Sequence, residues 1–206
     1  LIDLGEDNIE LDFNAIFRAC LGDDDEDVRE RATSGLWECV DRTIIRPMIA
    51  LLADDPSTKV RAAAAVSLGK FAEMAQNGKL LDRDADRVRE SLLSVIGDDN
   101  EAVEVRRRAI ESVSNFNLAE IERIIQEAYL NDDLTLRQSA IYAMGRSSNS
   151  RWLPTVLQET NNEAAAIRFE AASACGRLGD QTVVPHLISL LRDDDVQVQL
   201  SSVQAL

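Results

Sequence analysis

One ten-residue pattern recurs six times along the chain, and it restricts the fold more than any other feature of the sequence. It reads "VRERATSGLW" from Val28, "VRAAAAVSLG" from Val60, "VRRRAIESVS" from Val105, "LRQSAIYAMG" from Leu136, "IRFEAASACG" from Ile167 and "VQLSSVQAL" from Val198. The steps between copies are 32, 45, 31, 31 and 31 residues. Self-similarity at such a period marks an array of one supersecondary unit, each copy burying its apolar face against its neighbours.

Within each copy the first residue is aliphatic. The fifth is Ala32, Ala64, Ala109, Ala140, Ala171 or Ser202, and the ninth is Leu36, Leu68, Val113, Met144, Cys175 or Leu206. Apolar or small groups at i, i+4 and i+8 lie on one face of an α-helix, here called the B helix. Upstream of each copy runs a second apolar-periodic segment, the A helix: "FNAIFRACL", "IIRPMIALLA", "VRESLLSVI", "IERIIQEAYL", "WLPTVLQE" and "VVPHLISLL". Pro47, Pro154 and Pro185 fall near the starts of three of these, where a missing N–H is tolerated. The repeats are expected at about 8–40, 41–73, 80–117, 118–148, 149–179 and 180–206, forming a single domain over 1–206.

An acidic or amide pair separates A from B: Asp24-Asp25, Asp54-Asp55, Asp98-Asp99, Asp132-Asp133, Asn161-Asn162 and Asp193-Asp194. Asp and Asn accept from the free amides at a helix start and suit its dipole. The second residue of the pattern is Arg29, Arg61, Arg106, Arg137 or Arg168, with Gln199 in the last copy. An arginine at the edge of each buried face can reach the acidic turn of a neighbouring copy, so Asp25, Asp55, Asp99 and Asp133 are expected to join these arginines in a structural ladder. A catalytic pair would be used once per chain, not at every step.

The run "LGDQTVVPHLISLLRDDDVQVQ" followed by "SSVQAL" resembles HEAT repeats, specifically the phycobilisome-lyase HEAT-like subtype. That resemblance implies an all-α fold, a right-handed α-α superhelix of about six two-helix repeats. A helices would lie outside, B helices would line a concave inner face, and an Asp–Arg ladder would link the repeats. It also implies a binding scaffold whose partner is a protein or peptide. The alternative is a bilin lyase or isomerase-like subunit handling a phycobilin and its acceptor protein. Two departures stand out: the stretch "AEMAQNGKLLDRDADR" adds about fourteen residues to the step before Val88, and Gln199 replaces the arginine. The first predicts a longer loop around Asn77-Gly78 and an extended A helix.

Charge and composition narrow the function. A net charge of −15 gives no basic footprint for nucleic acid, and no apolar run is long enough to span a bilayer, so neither nucleic acid nor membrane is an expected partner. A cytoplasmic monomer is expected, as a fragment of a longer array. Cys20, Cys39 and Cys175 form no Cys-x-x-Cys pair and read as core residues. HEAT-repeat hydroxylases hold iron on His-Glu pairs, whereas the one histidine here, His186, precedes Leu187. Gly78-Lys79 lacks the rest of a phosphate-binding loop. No catalytic, cofactor-binding or metal-binding residue is assigned, and no cofactor is expected.

The B-helix stripe opposite the buried face, at the third, seventh and eleventh positions of the pattern, includes Ala62 and Val66 and carries Lys70, Arg107, Arg146 and Arg177 against Glu30, Glu38 and Glu111, so the acid of the chain lies elsewhere. Within it, Arg107, Tyr142, Arg146, Phe169 and Arg177 form an expected partner-binding patch of aromatic and basic groups.

Overall fold

The structure, a computed structural model, describes residues 13–206. It comprises two compact units divided between Phe116 and Asn117. Residues 8–12 of the first expected repeat lie outside the described residues. Among the described residues every regular element is helical. The first unit holds α1 (Asn14–Cys20), α2 (Glu26–Gly35), α3 (Ile45–Asp54), α4 (Thr58–Gln76), α5 (Asp82–Ile96) and α6 (Val103–Val113). The second holds α7 (Ala119–Tyr129), α8 (Leu134–Arg146), α9 (Leu153–Glu159), α10 (Ala165–Leu178), α11 (Val184–Leu190) and α12 (Val196–Ala205). Odd-numbered helices are the A helices and even-numbered ones the B helices, so each unit contains three helix pairs.

Three A helices start the same way. A 3₁₀ turn precedes α3, α9 and α11, and Asp41, Asn149 and Asp180 accept from the amides of Thr43, Arg151 and Thr182. Pro154 and Pro185 then fall at the second helical position and Pro47 at the third, where the proline ring costs no intrahelical bond. The donors on Asp41 hold its carboxyl down at about 2, the Thr43 amide first and the Arg18 guanidinium next.

The insertion resolves into helix more than loop. It lengthens α4 to 19 residues and α5 to 15, leaving only residues 77–81 between them, with Gly78 at φ +66° in the turn. Stacking two more turns on helices that already pair extends an existing apolar seam, Phe71 and Ala72 being wholly buried.

Consecutive B helices approach closely within each unit. A Cβ on Gly69 would lie 2.8 Å from Ser112 Oγ, one on Gly145 2.7 Å from Ala174 Cα, and one on Gly176 2.8 Å from Ala205 Cα. The eighth residue of the pattern supplies the other side of these contacts, and it is small in every copy: Gly35, Ser67, Ser112, Ala143, Ala174 and Ala205. Hydroxyls also bridge B-helix seams, Ser67 donating to the Thr33 carbonyl between α2 and α4 and Ser201 to the Phe169 carbonyl between α10 and α12.

The repeat arginines act on two loops at once. Nη1 of Arg29 donates to the Asp23 and Asp24 carbonyls of its own A–B loop, while Nε and Nη2 grip Asp55 of the next loop at 2.8 and 3.0 Å. Arg61 repeats this with the Asp55 and Pro56 carbonyls and Glu101, and Arg168 with the Asn162 and Glu163 carbonyls and Asp193. Gln199 keeps only the loop clamp, at 2.6 Å from the Asp193 carbonyl.

The acceptor carboxylates Asp55 and Asp193 stand two residues before their helix N-caps, where each also accepts from the N-cap amide. Asp25 and Asp133 are the N-caps themselves, and their carboxylates turn onto the amides of their own helices. Asp99 is 95% exposed and lies 3.8 Å from Arg106 of its own repeat. Nε of Arg106 is buried without a hydrogen-bond partner. In the second unit Glu159 accepts from Tyr129 Oη at 2.5 Å and from Asn162 Nδ2 at 2.6 Å. Burial and that contact push the Tyr129 phenol up to about 12.

Two outcomes follow from these geometries. Gly145→Val drives a side chain into the α10 backbone, so thermal denaturation shows a loss of about 1–3 kcal/mol or more. Gly22→Ala, with open space around it, stays within about 0.5 kcal/mol of wild type. The Arg29 and Arg168 guanidinium groups hold the Asp55 and Asp193 carboxyls below their usual range. Folded values below the unfolded value of about 3.9 place this stabilisation above that pH and remove it as pH falls through the folded values. Melting curves from pH 7 to pH 2 therefore show Asp55→Asn/Asp193→Asn less stable than wild type at neutral pH, with the gap closing in acid; a gap independent of pH refutes the assignment.

Candidate functional site: a groove on the B-helix side of the first unit

The B-helix face of the first unit carries an open groove of about 620 Å³. Its floor is Ala62, Ala63 and Val66 of α4, and Trp37 forms one wall just beyond the end of α2. Trp37 is 50% exposed and Val66 41%, large apolar groups left in water beside the small Ala62 and Ala63. The local cause is visible in the repeat. The tenth position of the pattern is Gly69, Ser114, Gly145 or Gly176 in other copies, and three of these sit in helix seams too tight for a Cβ. The indole of Trp37 has no such slot to enter.

Charged groups surround this floor, and they are already satisfied by one another. Lys59 bonds Asp27 at 3.0 Å and lies 3.7 Å from Glu26. Arg108 spans Glu104 and Glu111 at 3.1 and 3.0 Å, and Glu30 accepts from Ser34 at 2.8 Å. The rim is polar, of both signs and internally paired, so its demand on an occupant is shape and apolar contact more than net charge.

The residues marked in sequence as a partner patch are distributed differently. In the second unit the Arg177 guanidinium stacks 4.5 Å above the Tyr142 ring, with Phe169 two turns earlier on α10 and Arg146 half-buried at the end of α8. Arg107 belongs to the first unit, where Glu104 and Glu111 engage it. Trp37 went unmarked in sequence because it lies at the tenth column, outside the stripe taken as exposed. The signal was present as a tryptophan where the other copies have glycine or serine.

Chemistry-bearing groups elsewhere are tied down. Burial pushes the Cys175 thiol up to about 11, away from the thiolate a nucleophile needs. His186 Nδ1 stands 3.3 Å from Thr160 Oγ1 at a helix-pair seam. Among the described residues no cluster of three or more His, Cys, Asp or Glu is arranged to hold a metal ion, and no helix is long and apolar enough to cross a membrane.

Comparison with known proteins agrees with this architecture. The chain is 28% identical over 108 residues to deoxyhypusine hydroxylase of Danio rerio, covering 51% of this chain and 35% of that relative, so it spans about a third of that protein's length. Among solved structures, the complex of CpcE and CpcF of phycocyanin lyase from Nostoc sp. superposes with a TM-score of 0.67 at 15% identity, over 95% of this chain and 76% of that one. YibA of E. coli does so with a TM-score of 0.61 at 18% identity, over 99% and 73%. These structural likenesses are matters of fold. The family model for HEAT repeats matches residues 14–114 and 121–206, nearly all of the helical array just described, and the chain belongs to the HEAT-repeat family.

Proposed function

We propose that the chain is a non-catalytic protein-binding module, and that the B-helix groove of its first unit receives a segment of a partner protein presenting one apolar face. The half-exposed Trp37 beside the Ala62, Ala63 and Val66 floor carries this reading. A partly sheltered aromatic next to small residues is the arrangement in which few side chains supply most of a binding energy, while a paired rim excludes water around them. An α-helix with small or aliphatic residues at i, i+4 and i+7 fits a floor that is itself a helical stripe. Supporting the non-catalytic part, burial raises the Cys175 thiol and His186 faces the Thr160 hydroxyl, neither being the nucleophile–base pairing that such catalysis uses. The stacked Tyr142 and Arg177, with Phe169 and Arg146, form a second proposed contact in the other unit. It is the weaker candidate, because the guanidinium already covers the ring.

The test compares one captured partner against defined variants. Trp37→Ala weakens its binding by about 2 kcal/mol, roughly 30-fold, and Val66→Asp does the same by placing a charge in the floor. Both positions are well exposed, so circular dichroism shows an unchanged helix content. Equal affinity of wild type and both variants removes the groove from the proposal, and loss confined to Tyr142→Ala/Arg177→Ala transfers it to the second unit.

A further inference from the structure

The first unit carries a second concavity on its A-helix side, a cleft of about 500 Å³ between the start of α3 and the start of α5. Four arginines line it. Arg42 and Arg46 stand one turn apart on the 3₁₀ turn and first turn of α3, and Arg83 and Arg87 one turn apart on α5. The wall formed by Leu81, Arg83, Asp84 and Arg87 comes entirely from the insertion that distinguishes the third repeat from the others.

Their charges are poorly matched from within. Asp41 is taken by Arg18 at 2.7 Å and by the Thr43 amide, and among the described residues Arg42 and Arg46 have no carboxylate within ion-pair distance. Asp84 serves both Arg83 and Arg87, at 3.5 and 3.7 Å, distances too long for charge-assisted hydrogen bonds. Four guanidinium groups therefore face two carboxylates, one of them already engaged elsewhere. The whole chain carries −15, yet at physiological ionic strength charges beyond about 8 Å are screened, so the local excess of positive charge governs what settles in the cleft. Leu81, 55% exposed at the edge, adds an apolar foothold that a small inorganic anion would not use.

We propose that the insertion builds a docking cleft for an acidic segment of a partner protein, in which clustered carboxylates engage Arg42, Arg46, Arg83 and Arg87 and a neighbouring apolar side chain covers Leu81. This is a site separate from the Trp37 groove, and it does not depend on that reading.

The experiment titrates the full chain with a fluorescein-labelled peptide of about ten residues, rich in Asp and Glu around one Leu, and with its Lys counterpart. The acidic peptide binds and the basic one does not compete. Arg42→Glu/Arg46→Glu and, separately, Arg83→Glu/Arg87→Glu each raise its dissociation constant about tenfold or more. Leu81→Ser, leaving every charge in place, weakens it several-fold. Trp37→Ala leaves it unchanged, so the failure of one site is distinguishable from the failure of the other. Because the arginines are at the surface, Arg42→Gln/Arg46→Gln serves as a milder variant if charge reversal disturbs folding. No binding of the acidic peptide, binding undiminished in both arginine pairs, or displacement of the peptide by an equal concentration of inorganic phosphate overturns the proposal.

Discussion

The fold depends on an arginine that holds two loops with one planar group. Guanidinium offers five N–H donors in a fixed fork, and Arg29, Arg61 and Arg168 each spend one edge on their own loop carbonyls and the other on a carboxylate one repeat away. A lysine could satisfy one of these demands, not both. Taking such a pair partly out of water costs desolvation, so its contribution is better understood as fixing register between helix pairs than as a large net stabilisation. The loops it fixes are those from which the B helices start, and this sets which face of each B helix meets its neighbour.

Register matters because the next contact has almost no tolerance. At Gly145 and Gly176 the following helix passes so near that a single methyl group would collide with backbone atoms. A seam of this kind forbids large side chains at the eighth and tenth positions wherever two B helices meet. Trp37 occupies a tenth position beyond the end of α2, so the helix does not carry it into the seam with α4 that Ser67 and Thr33 bridge, and its indole stays at the surface. The groove is thus a by-product of the repeat geometry, produced where one copy departs from it.

Most of the fold was legible because it rests on local periodicities repeated six times: the A and B helices, the prolines in their first turns and the caps all follow from spacing. The choice of ladder carboxylate was not. Asp54-Asp55 and Asp24-Asp25 look equivalent in sequence, yet Asp55 lies two residues before its N-cap and faces Arg29, whereas Asp25 is the N-cap and faces its own amides. A two-residue difference in where the acidic pair stands relative to the helix start decides the role. Glu101 is a similar case, since Asn100 stands where a carboxylate would be expected and the adjacent glutamate reaches Arg61 instead. The groove was half visible: Ala62 and Val66 lie on the stripe read as exposed, and Trp37 does not.

The two sides of the first unit differ in a way that follows from how the repeats are made. B helices supply small residues and paired charges, so their face offers apolar surface with little net field. A helices are free to vary outward, and the insertion adds Arg83 and Arg87 opposite Arg42 and Arg46 without disturbing any seam. Lengthening α4 and α5 together keeps the added residues packed, as the burial of Phe71, Ala72 and Val88 shows, so the added turns are anchored on the core instead of hanging from it. An ordered backbone beneath the four guanidinium groups lowers the entropic cost of gathering them on the acidic segment proposed above. In an array whose common residues are consumed by holding the copies together, specificity has to reside in the uncommon ones, and here both concavities are built around them.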